Sequence, residues 1–185
     1  MRAWIPVAVA IVILTLLVCA HAAPFVLFPK ASQLASPDGR FLVRNQERSG
    51  SEKEFIGTSH SLWLIESASG RSRKLCDYLG VAAVAWSNND FLVVTEYVAK
   101  KTSRAWIFSA NGQRDPVLLD KVTLTRMVPP ELRPVLREND HVFVEASRAE
   151  NETVQLRAWG YGLHDPRGFR WSCTYSMREG SIFCR

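Results

Sequence analysis

Three histidines beyond the N-terminal apolar segment are the side chains best suited to acid–base chemistry near neutral pH: His60, His141 and His164. His60 lies in G-T-S-H-S at 57–61, which ends in Ser rather than the Gly of a nucleophile elbow and lacks its strand–turn–helix setting. His164-Asp165 precedes Pro166, which favours a turn over a catalytic dyad. We therefore predict no catalytic residue and a non-enzymatic protein. A composite site, in which the histidines and carboxylates meet in space, is the enzyme alternative.

Metal, phosphate and cofactor chemistry has no sequence support either. The histidines and cysteines lack the spacing of a zinc site, and there is no glycine-rich phosphate loop. The run at 88–90 (N-N-D) is too short for a calcium loop. We expect no metal ligand and no cofactor.

The cysteines predict one disulfide. The C-terminal sequence reads as a hairpin whose four-residue loop, 177–180, places Cys173 opposite Cys184. A bridge between them would tie down the chain end. Cys76 is then a small buried apolar residue, with Cys76–Cys173 and Cys76–Cys184 as the competing pairings.

The first 22 residues have the pattern of a secretory signal peptide. Arg2 precedes an apolar run at 4–20, and A-H-A at 20–22 provides small residues at a cleavage site. Cleavage would leave residues 23–185 as one domain in the periplasm or outside the cell, where disulfides form. An uncleaved membrane anchor is the alternative, since the run is barely long enough to span a bilayer.

Charge and composition do not point to nucleic acid or to a membrane surface as a partner. The chain has 23 Lys+Arg against 18 Asp+Glu, a net charge of +5, and 47% apolar residues. Its basic clusters, at 71–74 and 100–104, fall at predicted turns where charge is normally solvated. We expect neither nucleic-acid binding nor membrane association after signal cleavage.

The chain beyond the signal peptide predicts an all-β fold. Short runs rich in β-branched and aromatic residues alternate with turn-forming residues; they lie at 41–43, 61–65, 91–98, 105–108, 141–146 and 154–159. Asn111-Gly112 predicts a type I′ hairpin. The segment 130–137 has helical character but contains Pro134, so we expect a strand or irregular structure there.

An internal repeat divides the domain into units at about 31–76, 82–120 and 132–176, followed by a C-terminal hairpin at 169–185. Residues 31–43 align with 82–94, and 62–70 align with 105–112. Trp63, Trp106 and Trp159 recur at intervals of 43 and 53 residues, which predicts core packing for these side chains. A period of about 40–50 residues with four strands per unit is typical of propeller blades.

Two of these units resemble the PD40 or TolB-type relatives of WD40 repeats. The resemblance rests on S-P-D-G-R-F-L at 36–42 with L-W-L-I at 62–65, and on S-N-N-D-F-L at 87–92 with A-W-I-F at 105–108. It implies an antiparallel meander of propeller-like blades. Three units are fewer than the four to eight or so of a closed propeller, so we expect a partial or distorted propeller, or self-association to complete a ring. A β-sandwich is the alternative.

Partner binding is expected at hairpin loops on this scaffold. One candidate is the polar loop at 46–59. The other is the tight tip that contains Ser109, Asn111, Gly112 and Arg114, which is narrow enough to enter an enzyme cleft. The alternative is a tip that only reverses the chain.

In size, export and β architecture the chain resembles the periplasmic immunity proteins of peptidoglycan-degrading type VI secretion effectors. That resemblance implies an inhibitor whose hairpin occludes the active site of a secreted peptidoglycan hydrolase. The alternative is a structural module of an envelope complex, which would bind envelope proteins or itself.

Overall fold

The computed structural model describes residues 24–47, 59–98, 102–162 and 167–185, and this part of the chain is all-β apart from two short helices, as predicted. The strands are β1 Val26–Phe28, β2 Gln33–Ala35, β3 Phe41–Glu47, β4 Ser59–Glu66, β5 Ser72–Leu79, β6 Ala82–Trp86, β7 Phe91–Val98, β8 Thr102–Ser109, β9 Val117–Leu119, β10 His141–Glu150, β11 Thr153–Tyr161, β12 Phe169–Ser176 and β13 Ser181–Cys184. The helices are α1 Lys121–Met127 and α2 Arg133–Glu138, with a 3-10 turn at Pro130–Leu132 between them.

These strands form two sheets. The smaller one has the order β2-β3-β4-β5. The larger one has nine strands and runs from β1 through β6, β7, β8, β10, β11 and β12 to β13, with β9 paired to β8. Among the described strands, β1 and β13 do not pair with each other, so this sheet is open.

Three four-stranded antiparallel meanders follow one another along the chain: β2–β5, β6–β9 and β10–β13. A parallel pairing of Ser103 in β8 with Phe143 in β10 joins the second meander to the third. The sequence repeat corresponds to a repeated turn. The Ser36 N–H donates to the Phe41 carbonyl at 2.8 Å, and the Ser87 N–H donates to the Phe91 carbonyl at 2.9 Å.

The middle meander packs on both of its faces. Because side chains alternate along a strand, β7 directs Leu92 and Val94 to one core and Val93 to the other. The first core lies against the four-stranded sheet and includes Val43 and Leu62. The second lies against the third meander and both helices, and includes Leu124, Leu136, Val144 and Leu156.

The three repeat tryptophans are half-buried rather than fully buried, so the expectation of core packing is confirmed in part, for Trp106. In β4 the buried apolar residues are Leu62 and Leu64, and the period of two places Trp63 on the opposite face. Trp106 packs at the margin of the first core. Trp159 stacks on Phe143 with ring centroids 3.8 Å apart.

The segment at 130–137 is helical, which corrects the expectation of a strand or irregular structure. Pro134 lies in the first turn of α2, where a backbone N–H has no helical acceptor, so proline costs the helix no hydrogen bond.

The turn at Asn111-Gly112 also differs from the predicted type I′ hairpin. Gly112 has a φ of +72°, whereas Asn111 is not among the residues with positive φ. The Gly112 N–H donates to the Ser109 carbonyl at 3.2 Å, which makes Ala110 and Asn111 the central residues. A longer connection, 110–116, then leads to β9.

Several predictions concern residues outside the described ranges. They are the signal peptide at 1–22, most of the polar loop at 46–59, the lysines at 100–101 and the His164-Asp165 pair.

Candidate functional site

Six turns lie together at one end of the molecule, and we call this end the turn face. In a four-stranded antiparallel meander the first and third turns lie at the same end. The six turns comprise residues 36–40, 67–71, 87–90, 110–116, 151–152 and 177–180. Their contacts with one another show that the three meanders present this end together.

The turns of the first two meanders are tied by arginines. Arg40 Nη2 lies 3.3 Å from Asp90 Oδ1. Arg73, at the start of β5, donates from Nη2 to the carbonyl of Ser109. Within the second meander, the Ala110 N–H donates to the Asp90 carbonyl at 2.7 Å, which joins its two turns at this end.

The turns of the second and third meanders are tied in a similar way. Ser87 Oγ and Asn88 Nδ2 donate to the Asn151 carbonyl at 2.6 and 3.1 Å. Arg114 Nη1 donates to the Met177 carbonyl at 2.9 Å, and its guanidinium lies over the Phe91 ring, 5.5 Å from the centroid. These contacts connect the turns of all three meanders into one continuous surface.

A groove of about 360 Å³ opens on the turn face between the first and second meanders. Three arginines and one glutamate line it, together with apolar and small polar residues. The lining residues are Arg40, Phe41, Leu64, Glu66, Arg71, Ser72, Arg73, Ala110 and Asn111.

Two of the three arginines have carboxylate partners. Arg71 Nη2 lies 2.8 Å from Glu66 Oε2, and hydrogen bonds from Ser69 and Arg71 lower the pKa of Glu66. Arg40 pairs with both Asp38 and Asp90.

Arg73 differs from its neighbours. It is half-buried, its hydrogen bond goes to a carbonyl, and no ion pair joins it to a carboxylate of the described residues. Burial lowers the pKa of Arg73, although an arginine stays charged at any ordinary pH. Among the described residues, its positive charge therefore has no ion-pair partner at the wall of the groove.

Of the four residues expected to bind a partner, one lines the groove. Asn111 is exposed there. Ser109 is only 6% exposed, and its Oγ donates to Asn111 Oδ1 at 2.6 Å. Gly112 closes the turn and Arg114 braces it against the third meander. Partner binding by these four residues stays a prediction, with Asn111 the best placed of them.

Sequence reasoning missed the groove arginines. The signal was the basic cluster at 71–74, which we interpreted as a solvated turn. Arg40, Arg73 and Asn111 come from three separate strands or turns, and only the packing of the two sheets brings them together.

Neither described histidine lines the groove, and the two lie in different sheets. His60 is 5% exposed and stacks on Tyr78, with centroids 5.1 Å apart. The neighbouring Ser61 donates to Asp77 at 2.6 Å rather than to His60. His141 packs against the exposed Tyr161, with centroids 4.8 Å apart. No cluster of three or more potential metal ligands occurs within the described ranges.

The predicted disulfide is present. Cys173 is paired with Cys184 across β12 and β13, and the loop at 177–180 connects these strands as expected. The alternative pairings with Cys76 were wrong, because Cys76 is a free thiol. Burial, the largest cause, raises the pKa of Cys76 to about 12, so its reactive thiolate form is scarce at neutral pH.

Together these features define an all-β protein of two packed sheets, with one disulfide and an arginine-lined groove at its turn face. No helix of the described residues has the length and apolar character needed to cross a membrane. Comparison with known proteins found no matching family model, no curated relative and no matching solved structure.

Proposed function

We propose that this chain is an exported, non-enzymatic protein-binding protein that contacts its partner through the turn face. The observation that carries this proposal is the set of six turns at one end, joined by hydrogen bonds between meanders and opened by one groove. Loops fixed on a rigid β scaffold are a common binding arrangement, and rigid loops lose little entropy when a partner docks.

The architecture behind this surface is best described as a partial, open propeller of three blades. Burial of the middle meander on both faces supports this description. A two-sheet β-sandwich, the alternative, would bury each sheet on one face only.

Export is supported by two features. The pattern at 1–22 is that of a secretory signal peptide. The Cys173–Cys184 disulfide suits the periplasm or an extracellular location, because the cytosol keeps most thiols reduced.

Within this class, we favour a periplasmic inhibitor of a secreted peptidoglycan hydrolase. The turn face would cover the hydrolase's active-site cleft. The tip at Asn111 is exposed, while Ser109 and Arg114 hold it in place from behind. A braced tip of this kind can exclude substrate without large motion of its own.

Affinity capture with matched variants tests the turn-face proposal. The tagged chain would be expressed with its leader, and partners captured from the periplasm of the source organism and repurified. Asn111→Arg adds bulk and charge at the tip. Val81→Arg adds the same side chain at a residue that is 41% exposed, between β5 and β6 and outside the turn face.

We expect a partner that the unmodified chain and Val81→Arg retain and that Asn111→Arg loses. With the purified partner, the unmodified chain and Val81→Arg should bind more tightly than Asn111→Arg. If the partner is a hydrolase, the two tightly binding proteins should also inhibit its activity. Failure to recover a partner, or equal loss with both variants, would count against the proposal.

An envelope assembly module is the second candidate, and the β13 edge favours it. Among the described strands β13 pairs only with β12, and its Phe183 is 67% exposed. An uncharged edge strand with an exposed aromatic residue is suited to pairing with another chain. A concentration-dependent mass in light scattering that Phe183→Ser abolishes would support this candidate.

A further inference from the structure

The groove at the turn face contains one cation that the described fold leaves without a counter-charge. Arg73 offers five N–H donors, and the described structure uses Nη2 for the carbonyl of Ser109. A half-buried guanidinium of this kind is stabilised by a carboxylate that approaches from solvent, because charge-assisted hydrogen bonds replace the water lost on burial.

The other charges at the groove are paired with one another. Arg71 pairs with Glu66, and Arg40 pairs with Asp38 and Asp90. Both arginines are largely exposed, so solvent and salt screen these ion pairs. Arg73 is therefore the groove arginine whose charge an incoming anion can pair with.

The remaining lining identifies what carries the anion. Phe41, Leu64 and Ala110 are apolar core residues, 8%, 3% and 4% exposed, whose edges reach the groove, and the exposed Asn111 supplies an amide at the rim. An acidic side chain with apolar neighbours matches this combination. A phosphate group or nucleic acid would leave the apolar lining unused and would bring additional negative charge close to Glu66.

We propose that this groove binds an acidic segment of a partner protein, in which a Glu or Asp carboxylate pairs with Arg73 and an adjacent apolar side chain lies against the exposed edge of Phe41. This inference rests on the proposed function, since it specifies the chemistry that the turn face recognises. The carboxylate would accept two hydrogen bonds from the guanidinium edge, the pairing that distinguishes arginine from lysine.

Peptide titration of the ¹⁵N-labelled chain tests the proposal without knowledge of the partner. The probe is acetyl-Leu-Glu-Leu-amide, with acetyl-Leu-Gln-Leu-amide as its isosteric neutral control and inorganic phosphate as a second anion. We expect the Glu peptide to shift the amide signals of Ser72, Arg73 and Asn111. We also expect it to bind about tenfold more tightly than the Gln peptide, the ratio that one charge-assisted hydrogen bond supplies.

The variants separate the role of Arg73 from general charge. Arg73→Gln should abolish the difference between the Glu and Gln peptides, and Arg73→Lys should restore part of it. Arg157→Gln is the matched control: Arg157 is an exposed arginine on β11, 3.7 Å from Glu145, outside the groove. It should leave peptide binding unchanged. The amide spectrum of each variant establishes that it is folded.

Equal binding of both peptides, unchanged selectivity in Arg73→Gln, or phosphate binding as tight as the Glu peptide would overturn the proposal. Its failure can be distinguished from failure of the turn-face function. If Asn111→Arg loses a captured partner that Arg73→Gln retains, the carboxylate site is wrong and the turn face stands. If the Glu peptide binds as expected but no partner depends on the turn face, the carboxylate site stands and the turn-face function is wrong.

Discussion

Asp38 shows how a short turn fixes the protonation state of one residue. Its carboxylate accepts hydrogen bonds from Ser36 Oγ at 2.7 Å and from the Arg40 N–H at 3.1 Å, and it pairs with the Arg40 guanidinium. The side-chain hydrogen bond from Arg40 is the largest of the causes that lower the pKa of Asp38 from 3.8 to about 2. The negative charge of this turn therefore persists well into the acidic range.

Replacement of Arg40 should return the pKa of Asp38 towards 3.8. The folded pKa lies below the unfolded one, so the contribution of Asp38 to stability is present above about pH 4 and is lost as pH falls through about 2. We expect Arg40→Gln to raise the pKa measured by NMR titration of the Asp38 carboxyl carbon. Arg71→Gln, which removes a groove arginine that does not contact Asp38, is the control. Titration of Asp38 near 3.8 in the unmodified chain would contradict the assignment.

At the scale of elements, α1 depends on its N-terminal cap. Asp120 precedes the helix, and its Oδ1 accepts a hydrogen bond from the Thr123 N–H at 2.8 Å. The helix that follows buries Leu124 in the second core. A helix of only seven residues has little stability of its own. The stability of α1 therefore depends mainly on the Asp120 cap and on the burial of Leu124.

Asp120→Ala should lower the free energy of unfolding by about 1 kcal/mol, since it leaves a helix N–H without its acceptor. Asp120→Asn keeps the acceptor and loses only the charge, so its cost should be smaller, a few tenths of a kcal/mol. Urea unfolding followed by tryptophan fluorescence measures both. Equal costs for the two variants would show that charge, and not the hydrogen bond, holds the helix.

The sequence predicts those elements whose determinants are local. Runs of β-branched and aromatic residues bounded by turn-forming residues identify many of the strands. The loop at 177–180 sets the register that pairs Cys173 with Cys184. The sequence analysis did not predict α1, because Val122, Thr123 and Thr125 are β-branched residues that favour strands. Asp120 was the available signal for this helix.

The groove could not be predicted in the same way. Arg40 and Arg73 are distant in sequence, and Asn111 belongs to another sheet. Whether these residues converge depends on how two sheets pack, and the strand patterns do not specify that packing. The sequence shows that the cluster at 71–74 is basic. It does not show that Arg73, one member of the cluster, is half-buried against the second meander.

At the scale of the whole molecule, β7 couples the two cores. It contributes Leu92 and Val94 to the first core and Val93 to the second, and it lies between the neighbouring meanders. A strand that loses its packing on one face cannot keep its position on the other, because interiors are close-packed. The two cores should therefore unfold together.

Leu62→Ala in the first core should test this coupling. The cavity should cost about 2–5 kcal/mol of global stability. Native-state hydrogen exchange measures this loss at amides that exchange only by global unfolding. We expect the same loss of free energy for such amides in β4, in the first meander, and in β11, in the third. Leu156→Ala, in the second core, should produce the same result from the opposite side.

Val122→Ala, at a residue 56% exposed on α1, is the control, and we expect a change within about 0.5 kcal/mol. Faster exchange confined to the meander that carries the substitution would show that the cores are independent, and the turn face would then consist of separately stable parts.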